Sequence, residues 1–539
     1  MTGIKSISGI WKTIAGLFLL LLLTTPGSAW AQGEASISGV VTDPTGAIIA
    51  GATVKVRNSE TGVTRTLVSD SSGRYEASLL SVGKYELTAE QTGFRTESRT
   101  GITLVLGQHA TLDVTLSVGG VQQSVDVEGT ALDLAVTTAD FSGLVGETQV
   151  KNLPLNGRSY DQLLTLNPGV VNYTSQRSGG IGTSNSVVGN MFSASGRRPQ
   201  ENLYILNGVE FTSASEVNNT PGGTSGQLLG VDAVREFAIV KDAYGAEYGK
   251  RPGAQVNIVT SSGTNQLHGN AYEYLRNSAL DARNPFDQAQ IPNFERNVFG
   301  GSLGGPIKKD KTFLFGNYEG FRQVLGLSDV TLVPDATSRA AAVASVQPLL
   351  NLWPIANGPE LLTSTGGQSG IAEAFSSPQQ HIREDFGTAR IDQIFSDKDS
   401  LAGVYTVDDS QSHSPTTNPY STVDVFLREQ VASLNETHIF SPNVLNKATI
   451  GFSRGAFHFN SGVTGPATSV PTAWIDTTGV AVPGAVVVGG GTTLNGASQI
   501  TNGGTNAGSN LNVVRNLFTA TDQVSITHGK HLFNFGVWF

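Results

Sequence analysis

Cysteine is absent from the 539 residues. No disulfide framework, thiolate metal site or cysteine nucleophile is available, and zinc-finger and iron–sulfur readings end there. Charge is scarce: 14% of residues are Asp, Glu, Lys or Arg, against about 25% in an ordinary soluble domain. What charge there is leans acidic, with 34 Lys and Arg against 44 Asp and Glu for a net of −10. That balance excludes the basic face a nucleic-acid-binding chain needs. Past residue 31 no apolar run reaches the roughly 18 residues a membrane-spanning helix requires. Any crossing by that part of the chain must use strands closed into a barrel. The excess is in glycine, 64 residues, accompanied by Ser, Thr and Asn. At about 150 residues per domain, this composition predicts several domains of short strands joined by polar turns, not a helical bundle.

The one long apolar run is Ile14–Leu23, preceded by Lys5 and Lys12, broken by Pro26-Gly27 and followed by Ala29-Trp30-Ala31. That order predicts a secretory signal peptide over residues 1–31, and the run is short for about 30 Å of hydrocarbon.

Residues 33–118 alternate with period two. Ala52, Val54 and Val56, then Tyr85, Leu87 and Ala89, then Ala110, Leu112, Val114 and Leu116 fall on one face, with polar residues between. Turns are signalled by Asp43-Pro44-Thr45-Gly46, Asp70-Ser71-Ser72-Gly73 and Val82-Gly83. Short strands with one wet face predict a β-sandwich. The segments Gly39–Asp43, Gly51–Val54, Asp70–Tyr75, Gly83–Tyr85 and Gly93-Phe94 resemble the carboxypeptidase regulatory-like domain. The resemblance implies a prealbumin-like sandwich of the carbohydrate-binding-like class and leaves carbohydrate binding open. It does not import a peptidase, since fold alone is a weak warrant for activity.

Residues 119–264 are Gly- and Asn-rich. A short helix is expected over Ser159–Leu166, stopped by Asn167-Pro168-Gly169, and mobile loops over Ser178–Ser186 and Ser213–Gly230. Four separated blocks carry a second resemblance: Asn152–Arg158 with Leu166–Val170, Tyr204–Val209, Val231–Phe237, and Tyr248-Gly249 with Gly253–Thr260. In that order they resemble the plug domain of a TonB-dependent outer-membrane receptor. The resemblance marks Asn207, Gly208, Arg235, Tyr248, Gly249 and Asn257 as plug-motif residues. Asn207-Gly208 stands where members usually carry Asp-Gly, and Asn can still make the turn. Arg235, nearby carboxylates and the Gly-rich loops are expected to permit rearrangement. Ser124, Val125, Asp126, Val127 and Glu128 form an extended alternating segment. They are read either as a TonB box, able to add to a partner's sheet edge, or as a plain linker strand.

From residue 265 to 539 alternation returns in longer stretches: Leu401, Tyr405 and Val407; Ala448, Ile450 and Phe452; Phe533, Phe535, Val537 and Phe539. Tight turns at Ser396–Asp399 and Thr527–Lys530 alternate with long polar stretches around Pro334–Ile382 and Asn460–Asn510. Short turns on one side and long loops on the other predict an outer-membrane barrel. Tyr272, Tyr274, Phe313 and Phe315 are read either as lipid-interface aromatics or as sheet packing. Asn297–Pro306, Lys311–Gly320 and Arg390–Asp399 resemble the start of an Oar-like barrel, whose group joins these three parts in this order. The length allows roughly ten to thirteen strands, whereas a plugged transporter barrel has about 22, so a partial barrel, a piece of a longer receptor, is expected.

Catalytic motifs are weak. His381-Ile382-Arg383-Glu384 has a zinc-ligand spacing but falls in an expected loop, and His528–His531 reads first as a hairpin turn. No nucleotide loop, nucleophile elbow or zinc-protease helix motif is present. No catalytic residue, metal or cofactor is assigned. The fold expectation is all-β dominated: a prealbumin-like sandwich, an α+β plug and a partial antiparallel transmembrane β-barrel. The resemblance implies a TonB-dependent receptor in the bacterial outer membrane. Its partners would be TonB with its inner-membrane proteins, outer-membrane lipid and an extracellular ligand, saccharide among the candidates. A cell-surface carbohydrate-binding or adhesion protein without transport is the alternative. A secreted hydrolase comes third.

Overall fold

The computed structural model describes residues 35–119, 124–128, 135–136, 142–172, 190–213, 220–241, 248–283, 291–471, 474–475, 481–489, 500–505, 511–529 and 531–539. The expected signal peptide and the loop at 178–186 lie outside them. Among the described residues no helix is long and apolar enough to cross a membrane.

The N-terminal region is two five-stranded sheets face to face. Its strands are β1 (Ala35–Thr42), β2 (Thr53–Asn58), β3 (Thr64–Val68), β4 (Arg74–Leu80), β5 (Gly83–Glu90), β6 (Thr96–Leu104), β7 (His109–Thr111), β8 (Val114–Thr115), β9 (Ser124–Glu128) and β10 (Ala135–Val136). Their alternate residues close a core in which Ile37, Val54, Leu87, Leu104 and Leu116 are fully buried, as period-two patterning requires. The Asp43 and Asp70 carboxylates close the two predicted turns by accepting from the backbone N–H groups of Thr45, Ala47, Ser72 and Arg74. Sheet membership runs past residue 118. β9 pairs in parallel with β6, Ser124 opposite Thr96 through Glu128 opposite Thr100, and β10 pairs with β7.

The Gly-rich middle contains β11 (Ser142–Val145), β12 (Val170–Asn172), β13 (Phe192–Ala194), β14 (Leu203–Leu206), β15 (Val209–Glu210), β16 (Val234–Val240) and β17 (Gln255–Thr260). Five of them form a mixed sheet in the order β11-β16-β17-β14-β15. The expected helix is a 3₁₀ helix over Tyr160–Leu166, and a second helix, Glu147–Asn152, precedes it. The core gathers Tyr160, Phe192, Phe237 and Ile258, and it includes Val431 from the following sheet.

That sheet has nine antiparallel strands in sequence order. They are β18 (His268–Asn277), β19 (Phe294–Lys308), β20 (Thr312–Gly326), β24 (Gln379–Ser396), β25 (Asp399–Pro415), β26 (Ser421–Ser441), β27 (Val444–Val463), β32 (Leu511–His528) and β33 (His531–Trp538). Its first and last strands are not paired with each other among the described residues. β26 has 21 residues, about twice what a tilted strand needs to cross a bilayer. The long segments expected as polar loops are folded. β21 (Asp329–Pro334), β22 (Glu360–Leu362) and β23 (Gln368–Ser376) form a small sheet. Leu352, Trp353, Ala467 and Val470 join Val333 in a separate apolar cluster there. The remaining short strands, β28 (Trp474–Ile475), β29 (Ala481–Val482), β30 (Ala485–Val486) and β31 (Gly503–Gly504), pair two by two.

Candidate functional site

Asn207 and Gly208 form the turn between β14 and β15, with φ of 47° and 87°. Both lie in the left-handed region, which Gly and Asn tolerate best. The Asn207 Oδ1 also accepts from the Thr260 N–H at 3.0 Å, tying the turn to the end of β17. Asn257 is buried in β17 and accepts from Gln255 Nε2 at 2.9 Å. Gly249 accepts from the Arg251 N–H at 2.7 Å, beside Tyr248. Arg251 and Lys250 both pair with buried Glu210. The motif residues therefore hold the plug sheet together, except Arg235, which points away from it.

The plug meets the barrel wall through residues the sequence reading did not single out. Glu319 on β20, Glu384 on β24, Asp408 on β25 and Glu429 on β26 are at most 2% exposed and turn toward the plug. Three of them accept from backbone N–H groups of one plug loop: Gly222 to Glu429, Ser225 to Glu384 and Gly230 to Glu319, each at 3.2 Å. The Thr224 N–H donates to Ser410 Oγ at 2.9 Å. Glu384 and Glu429 each take an amide on Oε2, while their Oε1 atoms are buried without a hydrogen-bond partner among the described residues. The loop expected to be mobile over Ser213–Gly230 is therefore buried at 220–223 and 228–230 and half-buried at 224–227, because its glycines allow the backbone itself to lie on the wall. A Cβ at Gly223 would fall 2.2 Å from the Glu384 carboxylate, and one at Gly230 would fall 2.4 Å from the Phe386 ring.

Arginines also cross this interface: Arg296, Arg390 and Arg515 donate from the wall to Asn156, Thr260 and Ser213 of the plug. Arg158 donates to Asp232 at 2.5 Å within the plug and to Glu319 at 3.2 Å across the boundary. Its guanidinium lies 4.0 Å from the centre of the Tyr272 ring. Tyr272 thus faces the plug, and Phe313 and Phe315 are fully buried on the same side. Of the two readings offered, packing is the one realised for Tyr272, Phe313 and Phe315, whereas Tyr274 is 54% exposed. The His381/Glu384 spacing is also explained: both lie on β24, three positions apart and hence on opposite faces, so they cannot hold one metal ion. The signal that could have revealed the wall is parity. Thr406, Asp408 and Ser410 are polar at alternate positions of a strand whose intervening residues include Tyr405 and Val407.

Below the plug, at the short-turn end, the sandwich is docked. Arg235 pairs with Glu60 at 2.8 Å. The buried Glu236 carboxylate accepts from the Leu106 N–H at 2.5 Å, and burial pushes its pKa up to about 7. The Asn265 N–H donates to the Glu60 carbonyl at 2.8 Å. Sandwich, plug and barrel together line a cavity of about 290 Å³, with Tyr85, Arg235, Asn257 and Arg390 among its walls. Ser124–Glu128 is not part of the plug sheet; it is the outermost strand of a sandwich sheet ordered β3-β2-β5-β6-β9.

Residues 36–117 match the carboxypeptidase regulatory-like domain. Over 314 residues the chain is 26% identical to the TonB-dependent transporter Oar of Myxococcus xanthus, covering 54% of this chain and 27% of that protein. Among solved structures, the outer membrane transporter YddB from Escherichia coli is 13% identical with a TM-score of 0.46, covering 74% of this chain and 49% of that one. P. aeruginosa FpvA bound to heterologous pyoverdines is 11% identical with a TM-score of 0.40, covering 75% and 52%. The chain thus spans about a quarter of the curated relative and about half of these two structures. Residues 259–539, more than half of the chain, match the outer membrane beta barrel domain, and with the nine-stranded sheet that carries them they make this chain a member of that family and a protein of the outer membrane.

Proposed function

We propose that this chain works as a TonB-dependent receptor, which binds an extracellular ligand and imports it with energy supplied through TonB. In this reading residues 1–31 are the export signal, 33–118 a periplasmic sandwich, 119–264 the plug and 265–539 a barrel segment. The observation that carries it is the plug–wall contact. The plug loop is held by a few amide–carboxylate hydrogen bonds and the Arg158 pair, beside a small apolar contact of Leu229 and Ala233 with Val298, Phe321, Ile382 and Phe386. Polar contacts of this kind exchange with water one at a time, so a pull from the periplasmic side can free the loop without unfolding the barrel. The likeness to the Myxococcus transporter supports the same reading.

The TonB contact is assigned to Ser124, Val125, Asp126, Val127 and Glu128. As an edge strand among the described residues, β9 has one row of backbone groups paired with β6 and, among those residues, the other row open to a further strand. Strand addition there gives a partner affinity through main-chain hydrogen bonds. The chain has no cysteine, so Asp126→Cys introduces a single thiol. In cells carrying TonB with single cysteines along its periplasmic strand edge, a disulfide-linked pair is expected. Cross-links that form from Arg235→Cys but from no position of 124–128 would move the contact elsewhere.

A further inference from the structure

The outer face of the nine-stranded sheet has a layered chemistry that the pairing register makes visible. Glu319, Glu384, Asp408 and Glu429 point to the plug, so their sequence neighbours point outward. One outward row is Leu314, Ile391, Gly403, Leu434, Ile450 and Ala520, successive register partners across six strands. Tyr405 and Phe518 stand in the next row toward the long loops. Ile450 is 68% and Phe518 78% exposed. Nothing but lipid suits such a face in an outer-membrane protein.

Charged residues bound this apolar band. Toward the short turns the boundary carries Glu436 and Asp522, register partners of Leu401 and Ala448. Toward the long loops it carries Asp385, Asp409 and Arg428, with Arg322 and Arg383 one row further. From Arg428 to Glu436 is a rise of about 27 Å along the strand, or about 20 Å across the membrane at barrel tilt, close to the apolar height of outer-membrane barrels. Short turns lie on the periplasmic side, so the arginine row sits at the outer headgroup level.

There the arginines form a ladder. Arg322 donates to Asp385 at 2.7 Å, Arg383 bridges Asp385 and Asp409, and Arg428 donates to Asp409 at 2.6 Å. The aspartates lie deeper, at 22% and 15% side-chain exposure, and the guanidiniums stand outside them at 37%, 44% and 51%. Phe299 and Phe426 lie within 5.7 Å of the outer two guanidiniums. Three arginines over two aspartates, with Arg454 one row below, leave a positive strip on a chain of net −10. Each guanidinium has five donors in a planar fork, and the shared carboxylates, with the Phe321 and Glu384 carbonyls at Arg322, use only part of them.

We propose that this ladder is a docking surface for the phosphates of outer-leaflet glycolipid. The two aspartates fix the spacing and orientation of the arginines, and the remaining N–H donors take phosphate oxygens in bidentate fashion. The test uses the purified full chain in detergent, mixed with diphosphorylated lipid A or with lipid A stripped of both phosphates, and counts bound lipid by native mass spectrometry. Retention of the diphosphorylated form is expected to exceed that of the stripped form by about tenfold. The R322Q/R383Q/R428Q variant is expected to lose that preference, while Glu436→Gln at the opposite boundary keeps it. Heat-dependent gel migration reports folding. Equal retention of both lipids by the native chain overturns the proposal and leaves the ladder as a cross-strand brace. That comparison stands even if the triple variant does not fold.

Discussion

The sandwich closes its core on itself, whereas the plug completes its core on the barrel. Among the described residues, every buried residue of the sandwich core comes from Ala35–Leu116. The plug core draws in Val431, and Leu229 and Ala233 of the plug pack among Val298, Phe321, Ile382 and Phe386 of the wall. The polar contacts differ in the same way. Sandwich turns are closed by aspartates two and four residues away. The plug loop is held by groups 89 to 207 residues away. A region that satisfies itself locally can keep its shape on its own. A region satisfied by its container can be released from it.

The sharpest break of this contrast is Arg158→Ala. It leaves Asp232 and Glu319 buried without their cation, a loss of about 3–5 kcal/mol. The plug is expected to become protease-sensitive while the barrel keeps its heat-dependent gel shift. Barrel and plug failing together would show one cooperative unit. Next is Leu87→Ala in the sandwich core, which should cost about 2–5 kcal/mol. Denaturant unfolding followed by hydrogen exchange is expected to show that loss in residues 35–116 only, with plug amides unchanged.

A third experiment uses pH. Burial raises Glu236 to about 7 and Asp161, also in the plug, to about 6. Folding therefore favours their protonated forms. The stability this contributes is fully present below the ordinary carboxylate pKa and is lost as pH rises through about 6 to 7. The plug should melt higher at pH 5 than at pH 8, by up to about 3 kcal/mol for Glu236. Glu236→Gln should shrink the difference, leaving the part due to Asp161. A difference untouched by that substitution would assign the pH dependence elsewhere. The smallest effect is expected from Glu60→Ala. Its pair with Arg235 is partly exposed and contributes no more than about 1 kcal/mol. Limited proteolysis between sandwich and plug should quicken modestly without a change in either melting transition.

Particular residues show how far the sequence could be read. Ala110, Leu112, Val114 and Leu116 alternate with polar residues, and the strand burial follows them. Ile450 and Phe452 gave the barrel strands for the same reason. Phe313 could not be assigned to lipid or to the plug, since alternation gives two faces but not which is inside. Thr220–Gly230 looked like a free loop because Gly, Ser and Thr have no apolar periodicity. Its burial depends on backbone donors, which no side-chain pattern encodes. Pro334–Ile382 looked polar, yet Leu352, Trp353 and Ala374 are buried by partners such as Val470 from another loop.

By itself the sequence determined the strand content, the N-terminal sandwich strands and the turns, because period two and local turn chemistry are short-range properties. The tertiary structure alone decided which barrel face meets the plug, which carboxylates hold the loop, and that Ser124–Glu128 rests on the sandwich. Those outcomes depend on groups brought together across tens to hundreds of residues, where burial and hydrogen-bond satisfaction are fixed only once the whole chain has packed.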